Sequence, residues 1–253
     1  MIFENLDDLK AFRKHLHSNS VMRNVEHELR HDLDKYDYIK CPKFTGYRDV
    51  HDVYKHYPRG STRGQDKKPW DGLLVEVQYR TRAQHAWATA VEISDILDGE
   101  QTKFELDQSK RGRFFALASE IIARRHEKMT RAFSELTTDD LKSQLQDLEH
   151  ELGVLGRLAV LKKFESSDEL KKHNVLNIYY DEKGRPALEV IPLSTAQKAI
   201  EKASKLERNQ DSINAVYVRS DNPNQLRSAY RNYFTDPVDF VKIIQEEGEI
   251  DAV

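Results

Sequence analysis

The chain has 253 residues, of which 33% are charged and 38% are apolar, with 11 Tyr, 10 Phe and 2 Trp. This composition excludes a disordered segment of low hydrophobicity. The longest run without Asp, Glu, Lys or Arg is residues 83–91, which is shorter than the roughly 20 apolar residues of a membrane-spanning helix. Residues 1–20 contain no apolar core of a secretory signal, and the single Cys41 excludes an intramolecular disulfide, so we expect a cytoplasmic protein without membrane contact.

The net charge of −3 conceals an uneven distribution along the chain. Residues 40–82 contain ten Lys and Arg against five acidic residues, so this segment carries +5 and the remainder −8. A cationic segment in an acidic chain suits a polyanionic ligand such as a nucleotide or an RNA. A solvated basic loop at residues 59–68 explains the same charge equally well.

Hydrophobic periodicity predicts the elements of the first half. Asn5 is expected to cap a helix whose apolar positions are Leu6, Leu9, Phe12 and Leu16. Residues 50–57 and 73–80 have the composition of strands, and helices are expected at about 83–97 and 107–128. In the second strand, alternation directs Leu73, Val75, Val77 and Tyr79 to the core and Glu76, Gln78 and Arg80 to the other face.

The second half begins with leucines that recur at helical spacing from 141 to 161, which predicts a long helix or helix pair over 139–164. Gly153 and Gly156 favour a bend in it. From residue 175 onward the pattern indicates the order ββαβαα, with the last two helices near 223–230 and 237–246. We therefore predict a mixed α/β (α+β) fold with three parts, a first domain at 1–130, a helical linker or arm at 131–172 and a small α/β domain at 173–253.

The exposed face of the second strand carries three groups with useful chemistry. Glu76 can hold a metal ion or take a proton, Gln78 can hydrogen-bond a sugar or a base, and Arg80 can bind phosphate. An amphipathic strand that simply faces water would have the same pattern.

A second candidate cluster consists of Lys43, Gly46, Tyr47, Arg48 and His51. Gly46 permits a tight turn, Tyr47 offers a ring on which a base can stack, and Lys43 and Arg48 supply positive charge for phosphate. An ordinary half-buried tyrosine and a satisfied histidine are the structural alternatives.

The start of the following helix is the third candidate, with His85 and Trp87. His85 could approach the Glu76 face across the turn between strand and helix, whereas Trp87 is expected in the core.

Two of these stretches resemble a known family. The segments GYRDVHDVYKHY (46–57) and DGLLVEVQYRTRAQHAWATAVE (71–92) are similar to the paired signatures of RelA/SpoT alarmone synthetases, which carry G-Y-x-x-x-H, then E-[IV]-Q-x-R-T and, in one branch, Q-H-A-W-A. The run AYRNYF at 229–234 also resembles an A-Y-x-N-Y-F element of the longer members.

The resemblance implies a nucleotidyltransferase-like mixed sheet with helices and a Mg²⁺-dependent transfer of pyrophosphate from ATP to the ribose 3′-hydroxyl of GDP or GTP. By motif position, Tyr47 would stack on the guanine, Lys43 would contact the acceptor nucleotide, and Glu76 would serve both the acceptor hydroxyl and the magnesium ion. His85 would lie near the guanine, and Gln78 and Arg80 would have supporting roles.

The chain also departs from the family pattern. Members carry a basic R-x-K element for the donor ATP and a D-x-x-G-x-R strand whose Asp binds magnesium, but neither motif occurs in this sequence. We therefore expect that it starts after the donor half of the site and that this chain alone is inactive.

Two alternatives to alarmone synthesis remain. One is a relative that pyrophosphorylates the 3′ end of tRNA, and the other is an inactive guanine-nucleotide-binding module. In the latter, the helical arm and the small terminal domain would contact a protein partner or a second copy of the chain.

Overall fold

A computed structural model of the chain describes residues 1–18, 27–56, 69–98, 109–128, 133–159, 170–184, 186–209, 211–219, 221 and 235–252. The basic loop at 59–68, the helix predicted near 223–230 and the AYRNYF element at 229–234 lie outside these residues. The strands are β1 (Ile2–Phe3), β2 (His27–Leu29), β3 (Val50–His56), β4 (Leu74–Thr81), β5 (His173–Tyr180), β6 (Pro186–Leu193) and β7 (Ser212–Arg219). The helices are α1 (Leu6–Leu16), α2 (Arg82–Asp98), α3 (Lys110–Ile122), α4 (Thr138–Leu152), α5 (Val154–Ala159), α6 (Ala196–Leu206) and α7 (Asp236–Gly248), with a π-helical turn at Ala123–Glu127.

The first half of the chain forms a four-stranded sheet in the order β1-β4-β3-β2. Strand β1 is parallel to β4, whereas β2, β3 and β4 are antiparallel neighbours. The predicted mixed sheet is therefore confirmed. In the β3–β4 register His51 lies opposite Gln78 and Val53 opposite Glu76, so these two strands position the candidate site.

Helix α1 covers one end of this sheet. Its N-cap is Asn5, whose side chain accepts a hydrogen bond from the Asp8 amide at 2.9 Å, as the sequence predicts. Leu6 and Leu9 pack with Val50 and Tyr79 in a small apolar cluster.

Only two of the four side chains predicted for the core face of β4 pack with α1. Val77 and Tyr79 belong to the α1 cluster, but Leu73 and Val75 are 56% and 45% exposed. Helix α1 packs on the Tyr79 end of the strand alone, and alternation does not reveal how far a covering helix extends.

Helices α2 and α3 form the centre of the main core. Trp87 of α2 is buried and donates a hydrogen bond from Nε1 to the Phe115 carbonyl at 2.8 Å, so the expectation of a core tryptophan is confirmed. The apolar residues of α3, which include Phe114, Leu117 and Ile121, are also buried.

The predicted long helix is a helix pair with a break at Gly153. This residue has φ +60° and ends α4, and α5 begins directly after it. Leu141 and Leu145 of α4 are fully buried in the cluster that contains α2 and α3. Helix α4 therefore packs against α3 in this cluster.

The C-terminal residues form a second, antiparallel sheet in the order β6-β5-β7. Val175 and Ala215 of this sheet pack with α6, whereas Leu176 and Val218 join the main apolar cluster with α2, α3 and α7. The domain boundaries at 130 and 172 stay a prediction. Among the described residues, no helix combines the length and the apolar character that crossing a membrane requires.

Candidate functional site

One face of β3 and β4 gathers six polar side chains, which we call the Tyr47 face. Its members are Tyr47, Asp49, His51, Glu76, Gln78 and Arg80. Residues 47, 49 and 51 alternate along an extended segment that leads into β3, and residues 76, 78 and 80 alternate along β4. Because the two strands are antiparallel neighbours, both alternating sets point to the same side of the sheet.

The hydroxyl group of Tyr47 is the centre of a hydrogen-bond network. It donates to Asp49 Oδ2, accepts from Arg80 Nη2 at 2.8 Å, and lies 3.0 Å from His51 Nε2. Burial raises the pKa of the Tyr47 phenol above its ordinary value, and Asp49 adds to this although the charge of Arg80 opposes it. Tyr47 therefore stays protonated and its ring is held in place.

Asp49 is a member of this face that the sequence analysis missed. Its side chain is fully buried, and Oδ2 also lies 2.6 Å from His51 Nε2 and 3.1 Å from Arg80 Nε. The signal in the sequence is the two-residue spacing of Tyr47, Asp49 and His51, which places all three on one face of an extended segment.

His51 connects Tyr47 to Glu76. Its Nδ1 lies 3.3 Å from Glu76 Oε1, which also accepts a hydrogen bond from Gln78 Nε2 at 2.7 Å. The Glu76 side chain is 47% exposed, so its carboxylate is accessible to a ligand. Tyr47 and Glu76, to which the family resemblance gives roles at one acceptor nucleotide, thus lie on the same face with His51 between them.

Lys43 and Tyr38 extend the face on the side of the Tyr47 ring. The Lys43 ammonium lies 4.5 Å from the centre of the Tyr38 ring and 5.2 Å from that of Tyr47. The two tyrosine rings meet edge to face at 5.8 Å, and burial raises the pKa of Tyr38. Gly46, with φ +84°, makes the turn between Lys43 and Tyr47 that the sequence predicts.

Arg48 lies apart from this face. It is buried and donates from Nε to Glu127 Oε2 at 2.9 Å, and Gln84 donates to the other oxygen of Glu127 at 2.7 Å. Since Arg48 stands between Tyr47 and Asp49 in an extended segment, its side chain points to the opposite side. The substrate-binding role of Arg48 has no support from this placement and stays a prediction.

His85 also lies elsewhere. Its Nε2 is 3.1 Å from Asp236 Oδ2 of α7, and both residues line a cavity with Glu4, Arg82 and Lys242. The turn from β4 into α2 does not direct this side chain to the Tyr47 network, so its expected position near a guanine stays a prediction.

Together with Lys43 and Tyr38, the face combines two tyrosine rings, two cations and the accessible carboxylate of Glu76. No group of three or more His, Cys, Asp or Glu in the described part of the chain could hold a metal ion by itself. The single exposed carboxylate of Glu76 fits one ligand of Mg²⁺, since this ion is commonly held by one or two carboxylates together with substrate phosphates.

Comparison with known proteins gives one family match. Residues 1–95 match the model of a region found in RelA / SpoT proteins. No curated protein matches the chain. Among solved structures, the chain is similar to the small alarmone synthetase 1 from Bacillus subtilis bound to its product pppGpp, with 26% identity and a TM-score of 0.35. That likeness covers 51% of this chain and 55% of the synthetase chain, so this chain spans just over half of its length. The match to a region found in RelA / SpoT proteins therefore includes both motifs and the whole Tyr47 face.

Proposed function

We propose that the chain carries the acceptor side of a RelA/SpoT-type pyrophosphokinase, which transfers pyrophosphate from ATP to the 3′-hydroxyl of GDP or GTP. The observation that supports this most directly is the position of Tyr47 and Glu76 on one face, each within 3.3 Å of a ring nitrogen of His51. The family match of the same residues supports the reaction class.

The acceptor nucleotide would use the aromatic and cationic part of the face. The guanine would stack on Tyr47, whose ring orientation is set by the bonds of its hydroxyl group to Asp49 and Arg80. Lys43, beside the same ring, would contact the nucleotide with its positive charge.

Glu76 would act on the reacting hydroxyl group. In the transfer, the 3′-oxygen forms a bond to the β-phosphorus of ATP, the bond from that phosphorus to the oxygen of the α-phosphate breaks, and AMP leaves. The exposed Glu76 carboxylate can orient the hydroxyl group and accept its proton. Phosphoryl transfer depends on such positioning and on charge neutralisation more than on covalent chemistry.

Glu76 would also be the magnesium ligand of this chain. The bound ion supplies charge neutralisation at the phosphates of ATP. The His51 and Gln78 contacts at Oε1 would hold the carboxylate in a fixed direction while it serves the metal and the hydroxyl group.

The test is transfer of label from [β-³²P]ATP in the presence of Mg²⁺, with GDP, GTP and tRNA offered separately as acceptors. We expect the chain to bind GDP, and any label that it transfers to appear on the guanine nucleotide and to be lost in Glu76→Gln. Label on tRNA instead would select the tRNA-directed alternative. A chain that neither labels any acceptor nor binds GDP contradicts the proposal.

A second candidate is a guanine-nucleotide-binding module without turnover. The sequence favours it because R-x-K, the motif expected for the donor ATP, does not occur in the chain. It predicts GDP binding that Tyr47→Ala weakens, with no transfer to any acceptor.

A further inference from the structure

We infer that Asp49 is the positioning residue of the Tyr47 face, where its buried carboxylate orients the Tyr47 ring, the Arg80 guanidinium and, through His51, the carboxylate of Glu76. This inference deepens the proposed function and rests on it for the identity of the ligand.

A single oxygen of Asp49 collects the contacts of the face. Oδ2 accepts from the Tyr47 hydroxyl, from Arg80 Nε at 3.1 Å, and faces His51 Nε2 at 2.6 Å. Tyr47 lies in the loop before β3, His51 in β3 and Arg80 in β4, so one carboxylate connects three segments of the chain. Loss of the charge at position 49 would release all of them.

The other oxygen of Asp49 is also buried. Oδ1 accepts no hydrogen bond from the described residues. Burying a carboxylate is costly, and the sites where proteins accept such a local cost are often functional.

His51 transmits the position of Asp49 to Glu76. The imidazole is a rigid ring, so fixing Nε2 against Asp49 directs Nδ1 toward Glu76, which it meets at 3.3 Å. The Tyr38 ring packs edge to face against a further side of the imidazole, with 5.5 Å between the two ring centres. Asp49 therefore orients the Glu76 carboxylate through His51, without a direct contact between the two carboxylates.

Asp52, which lies in β3 three residues after Asp49, provides a matched control. It is also fully buried and also binds an arginine, a histidine and a tyrosine, namely Arg13 at 2.7 Å, His17 at 2.8 Å and Tyr54 at 3.3 Å. These partners lie on the α1 side of the sheet. Replacing Asp52 therefore removes a similar network without touching the Tyr47 face.

The experiment compares Asp49→Asn with Asp52→Asn in the full chain. We expect Asp49→Asn to weaken GDP binding by about 10- to 100-fold, the loss typical of a hydrogen bond to a charged group, and Asp52→Asn to change it less than about twofold. Calorimetric titration with GDP gives the affinity, and urea unfolding confirms that both variants are folded.

A second readout does not depend on nucleotide binding. Nitrogen-15 spectra of the histidine rings, with His51 assigned through His51→Gln, should show changed His51 signals in both Asp49→Asn and Glu76→Gln but not in Asp52→Asn. Unchanged His51 signals in Asp49→Asn would overturn the inference, as would equal GDP affinities of the two Asp variants. If the parent chain binds no GDP, the proposed function fails and the ring signals alone decide the role of Asp49.

Discussion

Tyr47 offers two separable contributions, a ring for stacking and a hydroxyl group for the network. Tyr47→Ala removes both, and we expect it to weaken GDP binding by about 1 to 3 kcal/mol, the usual value of one stacked base. Tyr47→Phe keeps the ring and loses only the contacts of the hydroxyl group with Asp49, Arg80 and His51, so its loss of affinity should be smaller. Calorimetric titration distinguishes the two, and an unchanged affinity of Tyr47→Ala would remove this residue from the site.

Arg48 and Glu127 form a buried pair whose role can be separated from nucleotide binding. Arg48→Ala leaves the Glu127 carboxylate buried with one partner fewer, and we expect it to lower the free energy of unfolding by about 3 to 5 kcal/mol. The double variant Arg48→Met with Glu127→Leu should recover most of this loss. GDP affinity of the folded protein should not change. Weakened GDP binding at unaltered stability would instead support the phosphate contact that the sequence suggests for Arg48.

The composition of the face could be predicted from the sequence only in part. Two-residue alternation indicated that Glu76, Gln78 and Arg80 share a face, and the family motifs assigned Tyr47 and Glu76 to one acceptor nucleotide. The same alternation, applied one step further, places Asp49 with Tyr47 and turns Arg48 away. His85 could not be placed by this reasoning, because its direction depends on the packing of α7 against α2, which is a contact between residues far apart in the chain.

The turn before β3 depends on its contact with α3. A Cβ atom at Gly46 would lie 2.8 Å from Ser119 Cβ and 3.0 Å from Ala116 Cα, in a backbone conformation that only glycine adopts easily. We expect Gly46→Ala to destabilise the chain by more than about 1 kcal/mol and to weaken GDP binding, because the turn carries Tyr47.

Gly184→Ala is the matched control for this change. Gly184 has φ +70°, but nothing lies within 4 Å of its added Cβ, so it reports the cost of the backbone conformation alone. Urea unfolding and GDP titration check both variants. Equal effects of the two substitutions would show that the contact with α3 is unimportant.

The attachment of α1 to β3 should depend on pH through Asp52. Burial alone would raise the pKa of Asp52, but the hydrogen bonds and charges of Arg13 and His17 lower it overall below 3.8. A carboxyl group with a lowered pKa in the folded state stabilises the fold above pH 3.8, and this contribution is lost as the pH falls through the folded-state pKa.

Asp52→Asn tests this dependence. We expect the variant to be less stable than the parent chain at pH 7 and the difference to shrink below about pH 3.8, because protonated Asp52 then resembles the amide. Urea unfolding at several pH values measures the difference. A stability difference that stays constant down to pH 2.5 would contradict the lowered pKa.

Hydrophobic periodicity predicted most helices and strands, because the signal for each of them lies within its own segment of the sequence. Asn5 marks the start of α1, and Gly153 marks the end of α4. The exposure of Leu73 and Val75 could not be predicted in this way, because it depends on the reach of a separate helix over the sheet.

One apolar cluster contains residues from all three predicted parts of the chain. Phe114 of α3, Leu145 of α4, Val218 of β7 and Phe240 of α7 are all fully buried in it. We therefore expect the chain to unfold in a single cooperative transition, and residues 1–172 alone to lack one, because their apolar surface would be exposed to water. Calorimetry on both proteins checks this. Two separate transitions of the full chain would show that the predicted domains fold independently.

If Tyr47 and Glu76 serve one bound guanine nucleotide, a crystal structure of the chain with GDP should show the base stacked on the Tyr47 ring. The ribose 3′-oxygen should be directed at the Glu76 carboxylate, with His51 between the two side chains. A nucleotide bound instead beside His85 and Asp236, with no contact to Tyr47 or Glu76, would contradict it.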